Sequence, residues 1–254
     1  MHSLFFVFVA GLVAGAMNAL AGGGSFVSLP ALIFAGVPSV QANASSTVAL
    51  YPGGLASAWA YREGLGPVGA VGLRPLLLST LVGGMIGAAL LLVTSSAAFN
   101  FVLPWLLLLA SLAPAFGRTV GESLRRRCTI RPWAVLIVQF ALGIYGGYFG
   151  GAVGIMMIAV WGLLDSSDVK RLSAPRTMLV SAANTMAVLT FIAAGVVEWG
   201  ETVVMLVAAI VGGYGGAQIG RRLPAKLIRT GTLLVTACIT VAFFVRAYFP
   251  RLAG

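Results

Sequence analysis

Charged side chains are scarce in this 254-residue chain, in which Asp, Glu, Lys and Arg together make up 9% of the residues. A soluble domain carries about 25% charged residues, which it needs to cover its water-facing surface. The hydrophobic fraction is 59% and the mean hydropathy is +1.01. Lipid therefore has to be the solvent for much of the exterior, and the composition predicts an all-α integral membrane protein.

Acidic residues, histidine and cysteine are also few. The sequence has six acidic residues, a single histidine, His2, and two cysteines, Cys128 and Cys238. No acid lies deep in an apolar run, and neither metal-ligand spacing nor a disulfide framework is present. We expect no enzyme activity, no catalytic residues, no metal, no cofactor, and no buried carboxylate of the kind that proton-coupled carriers use.

Basic residues outnumber acidic ones, and the net charge is +10. They lie in short connectors between apolar runs, so nucleic acid is not an expected partner. Lys and Arg near the ends of membrane segments are retained on the cytoplasmic side of the bilayer. We therefore predict a multi-pass protein of the bacterial inner membrane, in which the basic connector, residues 118–131, is cytoplasmic.

Ten apolar runs divide the chain, and two are too short to span a bilayer, which takes about 20 residues. The short runs are Phe26–Gly36 and Ile155–Leu164, and each follows a cluster of glycines. We expect the N-terminal run, Leu4–Ala21, to be a membrane segment rather than a signal peptide, because it lacks a basic region before it. The other runs are Leu4–Ala21, Thr47–Tyr61, Pro75–Leu92, Phe101–Phe116, Pro132–Tyr148, Thr177–Val197, Thr202–Ile219 and Leu227–Arg246.

The short runs occupy corresponding places in an internal repeat. The matching positions are Gly11, Gly15 and Gly22 with Gly143, Gly147 and Gly154, and Val82–Ala88 with Val211–Ala217. We predict one transmembrane domain over residues 1–254. The first repeat covers about 1–117, the connector 118–131, and the second repeat about 132–254.

Charge placement predicts how the repeats are oriented. If each glycine-broken region is a hairpin that enters and leaves on one side, each half crosses the membrane three times and the halves are inverted. All basic residues except Arg246 and Arg251 then share the side of the connector, and both termini lie outside. Continuous crossings would divide the basic residues almost evenly, so the positive-inside rule favours the hairpins. The alternative architecture is eight transmembrane helices.

Broken helices predict where a ligand binds. The N-terminus of a half-helix offers free N–H groups and a positive dipole end, which together bind anions. Irregular backbone at membrane depth is tolerated only where it is buried or lines a cavity. We expect a midplane site for a small anion, formed by Asn18, Gly22, Gly23, Gly24, Ser25, Asn43, Ser45, Ser46, Gly154, Arg176 and Asn184.

Structural roles are the alternative for most of these residues. Glycines at four-residue spacing, such as Gly83 and Gly87, usually serve close helix packing. The three asparagines fit interhelical hydrogen bonding as well as substrate contact, and Ser45 and Ser46 fit a helix cap. Arg176 fits either a cytoplasmic anchor or a positive charge that attracts the anion. Lys170 and Arg171 are expected to be loop residues that set topology.

Several motifs resemble the TauE/SafE family of sulfite and organosulfonate exporters, in both repeats and over nearly the whole chain. The segment 41–54 reads QANASSTVALYPGG, and 59–62 reads WAYR. The glycine-rich first motif is Gly22-Gly23-Gly24-Ser25-Phe26 followed by Pro30. The second repeat carries Asn184, Ala187, Phe191, Gly195 and Trp199, with Arg176 where many members have a basic residue. Ala44-Ser45-Ser46 and Ala174-Pro175 depart from the common pattern.

The resemblance implies an inner-membrane permease for a sulfur-containing oxyanion such as sulfite, sulfoacetate or a related sulfonate. It implies a small anionic substrate and the lipid bilayer as partners, and a homodimer is compatible with it. An anion channel or a non-transporting membrane subunit is the alternative function. An occluded central cavity would favour the carrier, and a uniformly open pathway would favour the channel.

Overall fold

The computed structural model describes residues 2–69, 71–125, 131–151, 153–164, 169–220 and 222–248. In that part of the chain the structure is helical, with one isolated bridge between Val68 and Val71 and a short 3-10 helix at Arg62–Gly64. The helices are α1 His2–Ala21, α2 Ser25–Phe34, α3 Ser39–Ala60, α4 Leu73–Val93, α5 Ser96–Arg125, α6 Pro132–Phe149, α7 Val153–Leu164, α8 Val169–Ala193, α9 Trp199–Gly220 and α10 Ala225–Tyr248.

The prediction of an all-α membrane protein is confirmed. Within the described residues, six helices are long and apolar enough to cross a membrane: α1, α4, α6, α8, α9 and α10. Many large apolar side chains face outward, including Leu78, Val93 and Tyr214, which are 63%, 81% and 72% exposed. Such a surface fits lipid rather than water.

The helix order repeats after α5, because both halves run long, short, long, long, long. The contacts between the halves follow the same order. Helix α1 packs on α9 as α6 packs on α4, and α3 packs on α9 as α8 packs on α4. Helices α3 and α8 also pack on each other, as do α5 and α10.

Glycines let the backbones of paired helices approach closely. A Cβ added to Gly83 would lie 2.6 Å from the carbonyl oxygen of Phe140, and one added to Gly216 would lie 2.6 Å from the Cα of Ala16. The packing role predicted for the spaced glycines therefore agrees with the structure.

Direct contacts fix the relative directions of these helices. Gly11 lies against Ala208 and Ala16 lies against Gly216, so α1 and α9 are parallel. Tyr51 contacts Thr185 and Gly54 contacts Ser181, so α3 and α8 are antiparallel. The pairs Trp105–Tyr248 and Ser111–Thr240 make α5 and α10 antiparallel as well.

One end of the bundle carries the connector, and we call it the connector end. The Ser79 hydroxyl donates to the carbonyl of Leu136, which sets the start of α4 beside the start of α6. Gly64, just after α3, lies against Ala174 near the start of α8. The connector end therefore holds the end of α3 and the starts of α4, α6 and α8.

Three boundaries differ from the sequence prediction. Helix α3 begins at Ser39 after Pro38, earlier than Thr47, and Pro38 occupies the cap position, so the cap role for Ser45 and Ser46 was wrong. Both residues lie in the interior of α3, and their side chains are buried against other elements, where hydrogen-bond partners replace water. Lys170 and Arg171 lie in the first turn of α8 rather than in a loop, since a proline at 175 removes only one helical N–H. Helix α5 continues into the predicted connector as far as Arg125, and residues 126–130 lie outside the described part.

Candidate functional site

A cavity of about 210 Å³ lies between the two glycine-broken regions and the crossing helices α3 and α8. It extends along α3 from Thr47 to Tyr61, so its outer part is at the connector end, where Ser57 and Tyr61 are exposed. Its lining comprises Asn18, Ala19, Leu20, Ala21, Gly22, Ser25, Thr47, Leu50, Gly54, Ser57, Tyr61, Gly150, Val153, Gly154, Arg176, Thr177, Val180, Ser181 and Asn184.

The break between α1 and α2 is formed by the triple glycine. Gly22 has φ of +73°, a left-handed conformation that glycine adopts without strain, and its N–H donates to the carbonyl of Asn18 at 2.9 Å. Gly24 packs into α1, where an added Cβ would lie 2.5 Å from the carbonyl oxygen of Ala14. The chain therefore reverses between α1 and α2, and Ser25 opens α2 at the cavity.

The break between α6 and α7 has the same design. Gly150 has φ of +70°, and its N–H donates to the carbonyl of Gly146 at 2.7 Å. A Cβ added there would lie 2.7 Å from Oγ1 of Thr47, so this turn rests against α3. Gly154, in the first turn of α7, lies beside the Arg176 side chain, since an added Cβ would be 3.7 Å from Cδ.

Both half-helices therefore begin at the cavity wall. The first N–H groups of a helix have no partner within that helix. Among the described residues, the N–H groups of Ser25, Val153 and Gly154 have no acceptor. These donors and the positive ends of two helix dipoles give this wall of the cavity a preference for negative charge.

Arg176 is the charged residue of the lining. It lies near the start of α8 and is partly buried. No carboxylate in the described part of the chain lies within ion-pairing distance of it, whereas Arg62 outside the cavity has Glu63 at 3.9 Å. A partly buried cation without a protein counter-ion is costly unless a ligand supplies one.

Asn18 and Asn184 face the cavity from α1 and α8. The Oδ1 atom of Asn184 is enclosed and has no hydrogen-bond partner among the described residues. Of the predicted residues, the structure brings six into the lining: Asn18, Gly22, Ser25, Gly154, Arg176 and Asn184.

Five predicted residues lie outside the lining. Gly23 and Gly24 are buried in the turn between α1 and α2. Asn43 donates from Nδ2 to the carbonyl of Tyr148 at 2.9 Å, which fits the structural role left open for it. Ser45 and Ser46 are also hydrogen-bonded away from the cavity.

The sequence prediction missed several hydroxyl-bearing residues of the lining. These are Thr47, Ser57, Tyr61, Thr177 and Ser181. Their signal was spacing: on α3 the lining positions recur every three to four residues from Thr47 to Tyr61, which places them on one face of the helix. A helical projection of α3 would have found this face.

The lining contains no metal-binding group of His, Cys, Asp or Glu, and no such group of three was found among the described residues. Its polar atoms are amide, hydroxyl, guanidinium and backbone N–H groups. This set can bind the oxygen atoms of an anion, and it offers no nucleophile–base pair for catalysis.

Several known proteins are similar to this chain in sequence. A probable membrane transporter protein, ORF9, of Sinorhizobium sp is 25% identical, and the match covers 94% of this chain and 92% of the length of ORF9. The probable membrane transporter protein YfcA of Escherichia coli strain K12 is 29% identical over 93% of this chain and 87% of the length of YfcA. A probable membrane transporter protein of Haemophilus influenzae is 27% identical over 93% of this chain and 92% of the relative's length. No solved structure matches significantly. The family model described as "Sulfite exporter TauE/SafE" matches residues 7–243, and the chain therefore belongs to that family.

Proposed function

We propose that this membrane permease exports a small sulfur-containing oxyanion, such as sulfite, sulfoacetate or a related sulfonate, through the cavity between the two helix breaks. One observation carries the proposal. Arg176 lies in a cavity where two helices begin, and no acidic residue in the described part of the chain neutralises it.

The chemistry of the lining supports an anion with several oxygen atoms. The guanidinium of Arg176 offers charge and planar donors, and the starts of α2 and α7 offer N–H groups. The hydroxyls of Thr47, Thr177 and Ser181 also border the cavity, but each already donates its hydrogen to a backbone carbonyl, so the donors for the anion are the guanidinium and the N–H groups. The cavity volume of about 210 Å³ is below the range of about 300–1,000 Å³ that drug-sized ligands occupy, which favours a small solute.

The family description supports sulfur as the central atom of the anion. The names of the three transporter relatives specify no substrate. The lining has no acidic residue that could couple transport to protons. Export of an anion does not need such coupling, because a cell interior that is negative by 100 mV favours outward movement of one negative charge by about 2.3 kcal/mol.

We also infer that the halves are inverted repeats, with α1–α2 and α6–α7 as hairpins. The antiparallel pairs α3–α8 and α5–α10 support this, because equivalent helices are antiparallel when the repeat axis lies in the membrane plane. Binding near the midplane, between two broken helices, is the arrangement that such transporters share.

A carrier fits better than an open channel. Beyond Thr47, Asn43 and Ser46 of α3 are hydrogen-bonded to other helices and are each 1% exposed. A uniformly open pathway would require exposed residues along the whole helix.

The test is efflux of sulfite and of sulfoacetate from proteoliposomes, with and without an imposed membrane potential. Arg176→Gln is expected to lower the efflux rate at least tenfold, equivalent to an increase of about 1.4 kcal/mol in the free-energy barrier to efflux. Arg62→Gln is the matched control, since Arg62 lies at the same end but outside the cavity, and it should leave efflux unchanged.

Two outcomes would contradict the proposal. Absence of efflux of either anion from folded, reconstituted protein would remove the sulfur substrate. Equal efflux from the Arg176→Gln and Arg62→Gln proteins would remove Arg176 from the site.

A further inference from the structure

Most residues on one face of helix α3 carry polar side chains, and only part of this face borders the cavity. Towards the connector end this face holds Thr47, Leu50, Gly54, Ser57 and Tyr61, all in the lining. Towards the opposite end the same helical spacing continues through Ser46, Asn43 and Ser39. The face is therefore continuous, although the cavity stops at Thr47.

Hydrogen bonds tie the buried part of this face, and Ser45 beside it, to other elements, and the first of them runs from the Ser39 hydroxyl to Asn100 of α5. The Asn43 side chain donates to the carbonyl of Tyr148 at the end of α6. The Ser46 hydroxyl is 2.6 Å from that of Ser28 in α2. Next to this face, the Ser45 hydroxyl accepts a hydrogen bond from the N–H of Glu198, between α8 and α9, at 2.9 Å.

The cavity lies on one side of the point where α3 crosses α8, and the space between the two helices on the other side is closed by buried side chains. At the crossing, the hydroxyls of Tyr51 and Thr185 are 2.7 Å apart. On the connector side, α8 presents Arg176, Thr177 and Ser181 to the cavity. On the opposite side, α8 contributes Val188 and Phe191, which are 6% and 0% exposed and belong to the same buried core as Val48.

Hydrogen bonds of this kind are suited to a gate. Each joins a short side chain to a backbone group or to another hydroxyl, so no buried charge is left when it opens and water can replace the partner. Uncharged polar side chains in a membrane bundle hydrogen-bond across helices, and here they continue the face of α3 that lines the cavity. The partners Ser28 and Tyr148 lie on α2 and α6, which belong to the two broken regions that hold the ligand site.

We propose that Asn43, Ser45 and Ser46 form a gate of the transport path on the side away from the connector end, and that this gate is closed in this structure. Opening the gate separates α3 from Ser28, Tyr148 and Glu198, and it exposes the remaining polar face of α3 to the opposite side of the membrane. The anion then leaves along α3. This proposal rests on the chain being a permease, and it does not depend on the substrate containing sulfur.

Cysteine labelling tests the gate. In a Cys128→Ser, Cys238→Ser background, Ser57→Cys reports on the open cavity and Ser46→Cys on the gate. A membrane-impermeant maleimide is applied to either side of oriented vesicles. We expect Ser57→Cys to react from the connector side. Ser46→Cys should be protected, and adding Asn43→Ala should raise its labelling from the opposite side at least tenfold.

Controls separate gating from loss of stability. Thr80→Val removes another buried hydrogen bond, the one donated by Gln139 at 2.8 Å, and it should leave Ser46→Cys protected. If Asn43→Ala does not fold, Ser45→Ala replaces it as the gate-opening variant, since it removes the bond to Glu198. Labelling needs no substrate, so failure of sulfite efflux and failure of the gate are distinct results.

Two outcomes would overturn the gate. One is Ser46→Cys reacting from the same side as Ser57→Cys. The other is Ser46→Cys remaining as protected in the Asn43→Ala or Ser45→Ala protein as it is in the Thr80→Val protein.

Discussion

Asn18, Asn43 and Asn184 are chemically identical, but their surroundings give them different roles. Asn18 and Asn184 border the cavity, whereas Asn43 holds the end of α6 through the carbonyl of Tyr148. A side-chain amide has both donors and an acceptor, so it serves either purpose. The role is set by which group lies opposite, and this depends on residues more than 100 positions away in sequence.

Gly150 illustrates how a single residue shapes the site. Its φ of +70° is unfavourable for other residues, and an added Cβ would also meet Thr47 at 2.7 Å. Gly195 has a similar φ of +67° with nothing within 4 Å of such a Cβ. We expect Gly195→Ala to cost about 1–2 kcal/mol from backbone strain, and Gly150→Ala to cost more.

Thermal unfolding in detergent measures this difference. At about 2–4 °C per kcal/mol for a chain of this size, Gly150→Ala should lower Tm several degrees further than Gly195→Ala. Equal shifts would mean that Thr47 yields without cost, and that the turn between α6 and α7 is not fixed against α3.

At the scale of helices, glycine defines the two tightest pairings, α1 with α9 and α4 with α6. Lipid gives no hydrophobic driving force between helices, so close packing of small residues has to hold these pairs together. Each pair joins one half of the chain to the other. The walls of the cavity are therefore positioned by packing between the two halves of the chain.

Adjacent glycines of α9 provide a matched test of this packing. A Cβ added at Gly216 would lie 2.6 Å from Cα of Ala16, whereas one at Gly215 would meet nothing within 4 Å. We expect Gly216→Ala to destabilise the protein. Gly215→Ala should be neutral or stabilising by up to about 1 kcal/mol, because alanine is the better helix former.

Detergent Tm again measures the outcome, with opposite signs expected for the two variants. Stabilisation by Gly216→Ala would show that α1 and α9 are not in tight contact in the folded protein.

At the scale of the whole molecule, the helix directions place the loops with most of the basic residues at one end. Arg62, Arg74, Arg131 and Arg222 lie near the connector end, and Arg246 near the other. By the positive-inside rule the connector end is predicted to be cytoplasmic, because Lys and Arg are retained on that side of the membrane. The cavity would then be open towards the cytoplasm in this state, as loading of the proposed exporter requires.

Labelling with a membrane-impermeant thiol reagent in spheroplasts tests this orientation. In a background without native cysteines, Glu63→Cys should react only after the membrane is permeabilised. Arg246→Cys should react in intact spheroplasts. The reverse pattern would invert the topology and make the open cavity face the outside of the cell.

The sequence alone determined the class of protein, because the fraction of charged residues and the length of the apolar segments decide whether a chain folds in water or in a lipid bilayer. It also located the two breaks, since a glycine cluster before a run too short to span is a local signal. Six of the predicted ligand residues lie near these breaks or on α8, and the structure brings them into one cavity.

Only the tertiary structure decided how α3 is used. Its polar residues have nearly uniform spacing, and nothing local distinguishes Ser57 from Ser46. Packing against α8 leaves the face open beside Ser57, and packing against α2 and α6 closes it beside Ser46 and Asn43. The difference arises from contacts between distant segments, because burial is a property of the assembled bundle and not of the helix.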